Sequence, residues 1–111
     1  MADDIRLSEP TLRTLRYLLC DATKPRSGAD LMKATKLGSG TMYPLLARLD
    51  AAGWIEGQWE EIDPREAARP RRRLYVLTMA GRARARSVFS QLNVPPDVEK
   101  ALAKGGLAWN S

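Results

Sequence analysis

Hydrophobic residues repeat with the period of a helix in the stretch SGTMYPLLARLDAAGW, which covers residues 39–54. Four of them stand at positions i, i+3, i+4 and i+7, which form one stripe of an amphipathic helix: Met42, Leu45, Leu46 and Leu49. The opposite face begins with small polar residues and then carries Tyr43 and Arg48. Gly53 ends the run in the way that glycine commonly ends a helix.

Pro44 constrains where this helix begins. A proline in a helix interior lacks the N–H that the helix needs, and its ring clashes with the preceding turn. We therefore expect the helix to begin near Thr41, which places Ser39 and Gly40 in the turn before it.

Two shorter helices are predicted before this one. Ser8 can cap the first, whose apolar stripe consists of Leu12, Leu15, Leu18, Leu19 and Ala22. Pro25 and Gly28 then break the chain, and Ser27 opens a second helix with Asp30 three residues on, an approximate capping box. The glycine-containing turn KLGSG joins this helix to the next, which is the helix-turn-helix pattern.

The amino-acid composition changes after Gly53. Residues 54–62 (WIEGQWEEI) and 71–78 (RRRLYVLT) have the composition of β-strands, and DPREAARP between them predicts a loop longer than a tight turn. Thr78 can cap a last helix from about Met79 to Leu92. Its apolar stripe consists of Gly81, Ala85, Val88, Phe89 and Leu92. Gly81 has no side chain and therefore permits another group to approach the helix closely.

The predicted order is helix, helix, helix, strand, strand, helix. This is a mainly α fold with a small β-hairpin, a winged helix-turn-helix. A chain of 111 residues suits one domain. We expect that domain over residues 1–92, including both terminal helices, and a short tail over residues 93–111.

Composition excludes several classes of function. The chain has no histidine and a single cysteine, so the usual zinc sites and the Ser-His and Cys-His nucleophiles cannot be assembled. No phosphate-binding glycine loop is present, and neither a cofactor nor enzymatic activity is predicted. Cys20 is expected to be a small buried hydrophobe in a reduced, cytoplasmic setting. No apolar run approaches the roughly 18 residues of a membrane span, and the acidic start MADDIRLSEP is no secretory signal.

A positive balance points to a polyanionic partner. Lys and Arg number 18 against 13 Asp and Glu, which gives a net charge of +5. In a helix-turn-helix the second helix enters the DNA major groove with its first residues. Ser39, Gly40 and Thr41 are small enough for close approach and can bind phosphates or base edges. Tyr43 offers a hydroxyl to a phosphate, and Arg48 can reach the backbone at the rim of the groove.

The second basic motif is RPRRRLYVLTMAGRARAR, residues 69–86, with seven arginines and no acid. Four arginines lie where the loop enters the second strand: Arg69, Arg71, Arg72 and Arg73. In an extended chain Arg71 and Arg73 share one face and Arg72 lies opposite. Such a wing would follow the DNA phosphates, although four acids of the same hairpin can cancel part of its field.

The sequence resembles the PadR-like winged-helix transcriptional regulators. The resemblance rests on SGTMYPLLARLDAAGWIEGQWEE followed by RPRRRLYVLTMAGRARA and spans roughly residues 27–90. Trp54 stands where that family commonly has leucine. The resemblance implies a dimeric DNA-binding repressor in which Tyr43 and the start of its helix contact DNA and the basic wing holds the flanking backbone. Some members respond to phenolic or drug-like molecules, so an unknown small-molecule effector is a possible further partner.

A dimer of the compact branch of the family uses the first and last helices. This implies a homodimer interface formed by two groups of residues: Leu12, Leu15, Tyr17 and Leu19, and Ala85, Val88, Phe89 and Leu92. Tyr17 lies on a second side of the first helix, which suits either an exposed surface or a partner chain.

The prediction is a sequence-specific DNA-binding regulator, acting as a homodimeric repressor on double-stranded DNA, without a membrane partner. Two alternatives remain at this point: a winged-helix module whose basic face binds a protein, and an effector-binding sensor with weak DNA affinity. The first alternative predicts no steep salt dependence on random duplex DNA, and the second predicts an apolar pocket at the dimer centre.

Overall fold

The computed structural model describes residues 6–92, so the predicted tail over residues 93–111 lies outside the described residues. The elements follow one another as α1 Glu9–Cys20, β1 Arg26–Ser27, α2 Gly28–Thr35, α3 Ser39–Ala51, β2 Ile55–Trp59, α4 Pro64–Ala67, β3 Arg73–Leu77 and α5 Met79–Gln91. An antiparallel sheet with the strand order β1-β3-β2 accompanies the helices. The winged-helix fold predicted from the sequence is confirmed. The short elements β1 and α4 were not predicted.

Helix α1 begins where the sequence predicts, but its start is stabilised differently. Ser8 occupies the N-cap position without a side-chain bond to the backbone, and its hydroxyl lies 3.1 Å from that of Thr11. Glu9 forms a salt bridge with Arg13 at 2.7 Å, and Arg13 also donates a 2.7 Å hydrogen bond to the carbonyl of Thr35. That bond ties α1 to the end of α2. Cys20 was predicted to be buried, and this was wrong, because α1 places it on an exposed face.

The predicted capping box of α2 is confirmed. The Asp30 N–H donates to the Ser27 hydroxyl at 3.0 Å, and the Ser27 N–H donates to the Asp30 carboxylate at 3.1 Å. These reciprocal bonds satisfy two backbone donors that a helix start otherwise leaves without partners. Ser27 also belongs to β1, so the capping box sets α2 directly beside the sheet.

Helix α3 begins earlier than Pro44 suggested. Its N-cap residue is Gly38, whose carbonyl accepts the Met42 N–H at 2.9 Å, so Ser39 and Gly40 are helical and do not lie in the preceding turn. Pro44 lies inside the helix. Its missing N–H removes only the bond to the Gly40 carbonyl, in the second turn of a helix that is exposed there, and the stripe that faces the core is unaffected.

A Schellman motif ends α3, as Gly53 suggested. Gly53 adopts a left-handed φ of +81°. Its N–H donates to the Asp50 carbonyl at 3.0 Å, and the Trp54 N–H donates to the Leu49 carbonyl at 2.9 Å. The turn delivers Trp54 into the core, where the side chain is 3% exposed. The core therefore accommodates tryptophan at the position where the family commonly has leucine.

The wing consists of β2, the connecting loop and β3, residues 55–77. Ile55 pairs with Leu77 and Trp59 pairs with Arg73, so the hairpin runs from the core outwards. The loop contains α4, which is capped by the Asp63 carboxylate accepting the Arg65 N–H at 2.9 Å. The loop is thus ordered by its own short helix.

Thr78 caps α5 as predicted, because its hydroxyl accepts the Gly81 N–H at 2.9 Å. Gly81 does permit a close approach, but the group that approaches is the backbone of Trp54 in the same chain. Residues from α1, α2, α3, β2, β3 and α5 together form one hydrophobic core. None of the helices in the described part of the chain is long and apolar enough to cross a membrane.

Candidate nucleic-acid interface

The start of α3 is exposed, as a DNA-reading helix requires. Ser39, Gly40, Thr41, Tyr43 and Arg48 all lie on the exposed side, whereas the four apolar residues of the stripe are at most 1% exposed. The N-cap residue is a glycine, so no side chain covers the backbone N–H groups of the first turn. A helix start of this kind favours an anion.

Tyr43 connects α3 to the start of α2. The side chain is 47% exposed, and one edge of its ring packs over Gly28. A methyl group at Gly28 would stand 2.8 Å from both Cε1 and the hydroxyl oxygen of Tyr43. The absence of a side chain at position 28 therefore allows the tyrosine to lie against α2.

Arg69 is paired within the wing. Its guanidinium donates to the two carboxylate oxygens of Glu60 at 2.7 and 2.9 Å. The hydrogen bond from Arg69 is the main reason that the pKa of Glu60 falls to about 2, and the Arg72 N–H lowers it further. The carboxylate of Glu60 largely neutralises the charge of Arg69. Arg69 is also less exposed than Arg71, Arg72 and Arg73.

Arg71, Arg72 and Arg73 are exposed. The Arg71 Nε donates to the Ile62 carbonyl at 3.0 Å across the wing loop, so its side chain is held at that point. Arg72 is anchored through its backbone, since its N–H donates to the Glu60 carboxylate at 3.2 Å and its carbonyl accepts the Glu60 N–H at 2.9 Å.

Arg73 is held by an aromatic ring. Its guanidinium carbon lies 5.3 Å from the centroid of Trp59, the residue directly opposite in the hairpin. The guanidinium also covers Gly57, where a methyl group would stand 2.6 Å from Nε. Alternation along the strand places Arg73 on the same sheet face as Tyr75 and Leu77, which is the face that enters the core.

These elements enclose a cleft of about 240 Å³ between α2, α3 and β3. Its lining combines cationic, hydroxyl and small side chains: Ser27, Gly28, Ala29, Tyr43, Arg72, Arg73 and Tyr75. No lining residue is acidic. Burial raises the pKa of the Tyr75 phenol, which thus stays a neutral hydroxyl at physiological pH. Of the predicted DNA contacts, the structure brings Tyr43, Arg72 and Arg73 together here.

The predicted dimer residues divide into two groups. Leu15, Leu19, Ala85 and Phe89 are between 0% and 7% exposed and belong to the core of a single chain. The others retain accessible surface: Leu12, Tyr17 and Val88 are partly buried, and Leu92 is 51% exposed. Tyr17 also has a partner in its own chain, because Arg26 donates to its hydroxyl and stacks 4.5 Å from its ring centroid.

Sequence reasoning missed four residues that line this cleft, namely Ser27, Gly28, Ala29 and Tyr75, and also Gly57 and Trp59, which lie against Arg73. A signal for one of them was present, because a glycine inside a strand often marks the close approach of another group. The direct pairing of Trp59 with Arg73 depends on the hairpin register, which the long loop between the strands left open. Within residues 6–92 no cluster of His, Cys, Asp and Glu could hold a metal ion.

A model of the family described as "Transcriptional regulator PadR-like family" matches residues 20–87, more than half of the chain. The chain belongs to this family. The resemblance noted in the sequence is thereby confirmed, and the protein is a PadR-like, DNA-binding transcriptional regulator. No curated protein matches its sequence.

Solved structures share the winged-helix fold of this PadR-like chain. Apo MarR from E. coli is 24% identical with a TM-score of 0.64, and the match covers 96% of this chain and 70% of that one. A PadR family regulator from Eggerthella lenta is 23% identical with a TM-score of 0.58, covering 82% and 75%. Reduced AbfR bound to DNA is 21% identical with a TM-score of 0.64, covering 88% and 67%.

The PadR-like chain is shorter than these relatives. It covers 51% of the chain in a structure of AbfR from Staphylococcus epidermidis, to which it is 22% identical with a TM-score of 0.61 over 75% of its own length. At identities of this order the structural likeness shows a common fold.

Proposed function

We propose that this PadR-like regulator represses transcription by binding double-stranded DNA as a homodimer. Helix α3 enters the major groove with its N-terminal residues, and the wing lies along the phosphate backbone. The observation that carries the proposal is that Tyr43 of α3 and Arg73 of the wing line the same acid-free cleft. A DNA strand that leaves the groove beside α3 meets the wing at this point.

The residues divide into two roles on DNA. Ser39, Gly40 and Thr41 lie at the exposed helix start, where short side chains and backbone groups approach base edges. Arg48 and the exposed arginines of the wing supply charge for phosphates, which adds affinity without sequence information. Two copies would place two α3 helices about one DNA turn, roughly 34 Å, apart.

Two further observations support the proposal. AbfR, which shares the fold, has a structure bound to DNA. The resemblance of the sequence to PadR-like repressors supports a negative sign of regulation, in which the dimer occupies a promoter and excludes the polymerase.

The proposal is tested by selecting a duplex from a random pool with the wild-type chain and measuring affinity over a range of salt. The logarithm of affinity should fall linearly with the logarithm of salt, with a slope of about 0.9 per phosphate contact. Thr41→Ala should weaken binding to the selected duplex by about 1–3 kcal/mol, the amount typical of one contact. Its effect on binding to random duplex should be smaller. Thr23→Ala, an exposed threonine outside α3, is the matched control.

Placing the selected site across a promoter tests the sign of regulation in a transcription assay. Lower transcript in the presence of the protein supports repression, whereas higher transcript identifies an activator. Weak binding to every duplex with little dependence on salt would instead favour a protein partner for the basic face.

A further inference from the structure

We propose that Tyr43 and Arg73 hold one and the same DNA backbone phosphate in the cleft between α2, α3 and β3, and that Gly28, Gly57 and Trp59 position these two side chains. The inference rests on the proposed DNA-binding function and adds a defined phosphate site to it. It makes the recognition helix and the wing a single unit rather than two independent contacts.

The chemistry of the cleft suits a phosphate monoanion. The lining carries arginine charge and hydroxyl groups but no acidic residue, so cationic and hydrogen-bonding side chains face an anion that enters. Its volume of about 240 Å³ exceeds the roughly 30 Å³ of a water molecule several-fold, which leaves room for a phosphate and bridging waters. A backbone phosphate has two non-bridging oxygens. One can accept a hydrogen bond from the Tyr43 hydroxyl, and the other can accept one from the Arg73 guanidinium. The second bond is charge-assisted and therefore the stronger of the two.

Gly57 creates the place that the Arg73 guanidinium occupies. A methyl group at position 57 would stand 2.6 Å from Nε and 2.8 Å from both Cζ and Nη2, closer than atoms in contact can approach. The obstructed atoms are the end of a flexible side chain. Alanine at this position would therefore displace the guanidinium and leave the strand intact.

Trp59 holds the guanidinium from another side. The indole is 61% exposed, although large aromatic side chains usually bury more of their surface. Its stacking with Arg73 at 5.3 Å restricts a side chain that otherwise has high rotamer freedom. Less conformational entropy is then lost when Arg73 binds an anion.

Gly28 has the same relation to Tyr43 that Gly57 has to Arg73. A methyl group at position 28 would stand 2.8 Å from the Tyr43 hydroxyl oxygen and 3.1 Å from Cζ. The tyrosine thus lies close to the start of α2 only because residue 28 has no side chain. Tyr43 and Arg73, two of the lining residues with phosphate-binding groups, therefore each pack over a glycine.

The first test replaces single phosphates of the selected duplex with uncharged methylphosphonates, one position at a time. At one position in each half-site, the methylphosphonate should weaken binding of the wild-type protein by about 5- to 150-fold, the range of one specific contact. The same position should have a reduced effect on Arg73→Ala and on Tyr43→Phe, and no effect on the double variant. Two different sensitive positions, one for each variant, would overturn the shared phosphate.

The second test separates positioning from stability. Gly57→Ala should weaken binding nearly as much as Arg73→Ala, add nothing in the Arg73→Ala background, and leave the melting temperature unchanged or slightly higher. Gln58→Ala, an exposed neighbour on the other face of β2, is the matched control and should bind as the wild type does. Trp59→Leu should weaken binding and Trp59→Phe should restore most of it. Gly57→Ala binding with wild-type affinity, or additive effects with Arg73→Ala, would overturn the positioning role.

The outcomes distinguish the inference from the function beneath it. A wild-type protein that binds no duplex with a salt-dependent affinity contradicts the DNA-binding function itself. A wild-type protein that binds with a normal salt slope, but shows no shared methylphosphonate position, contradicts only the phosphate site. Inorganic phosphate should compete only weakly, because it lacks the contacts that α3 makes along the groove.

Discussion

Gly81 lies directly against the carbonyl group of Trp54. A methyl group at position 81 would stand 1.8 Å from the Trp54 oxygen and 2.7 Å from its carbonyl carbon. The same oxygen accepts the Thr78 N–H at 3.0 Å, so the start of α5 is fixed to the junction of α3 and β2. Because the hairpin also begins at this junction, the contact sets the position of the wing relative to α3.

Gly81→Ala is therefore expected to destabilise the protein strongly. The obstructing atoms are backbone atoms that cannot move aside, and overpacking of this kind costs about 1–3 kcal/mol, with the upper end expected here. Thermal unfolding measures the effect. Gly40→Ala is the matched control, since open space surrounds Gly40 in the first turn of α3, and it should stabilise the helix by roughly 0.5–1 kcal/mol. Equal melting temperatures for the two variants would contradict the close packing.

The elements that the sequence predicted well depend on local signals. The Ser27–Asp30 capping box, the cap at Thr78 and the glycine turn at Gly53 each act over three or four residues, so their effect can be recognised without the rest of the fold. The apolar stripe of α3 is also local, because a helix repeats every 3.6 residues and only one face can enter the core.

The incorrect or missing predictions concern features that depend on contacts between distant parts of the chain. The local cost of Pro44 predicts a later start for α3, but burial of the α3 stripe outweighs the loss of one hydrogen bond on an exposed side. The different contacts of the wing arginines could not be predicted from the sequence. The salt bridge of Arg69 with Glu60 and the stacking of Arg73 on Trp59 both depend on the register of the hairpin. Burial within one chain and burial between two chains give the same periodicity, so Phe89 looked available for a dimer.

The end of α5 belongs to the accessible surface that the predicted dimer can use. Phe89 is 0% exposed in the single chain, so Phe89→Asp should unfold the protein by burying an unpaired carboxylate. Leu92, at the end of the same helix, is 51% exposed. Leu92→Asp should keep the melting temperature of the monomer fold while weakening dimer formation and binding to a palindromic site. Sedimentation over a concentration series measures this, and a fully dimeric Leu92→Asp variant would place the interface elsewhere.

Glu60 should titrate far below an ordinary glutamate. The hydrogen bond from Arg69 lowers its pKa from 4.5 to about 2 in the folded wing. A depressed pKa means that the contribution of Glu60 to wing order is complete above about 4.5 and is lost as the pH falls through about 2. Carboxyl chemical shifts followed by NMR measure this titration. Arg69→Ala should move the pKa back towards its ordinary value, and a wild-type titration near 4.5 would contradict the pairing.

Glu60 also determines whether the charge of Arg69 is paired within the wing. Glu60→Gln removes the carboxylate that neutralises Arg69 but keeps an oxygen that can accept a hydrogen bond from Arg72. The released guanidinium adds a cation beside Arg71 and Arg72, so affinity for random duplex should rise at low salt. The slope of log affinity against log salt should steepen by up to about 0.9 per subunit if Arg69 gains one phosphate contact. Glu61→Gln changes the net charge equally at an exposed neighbour and serves as the control. An equal slope change in both variants would show that the general field of the wing responds, and not the release of Arg69.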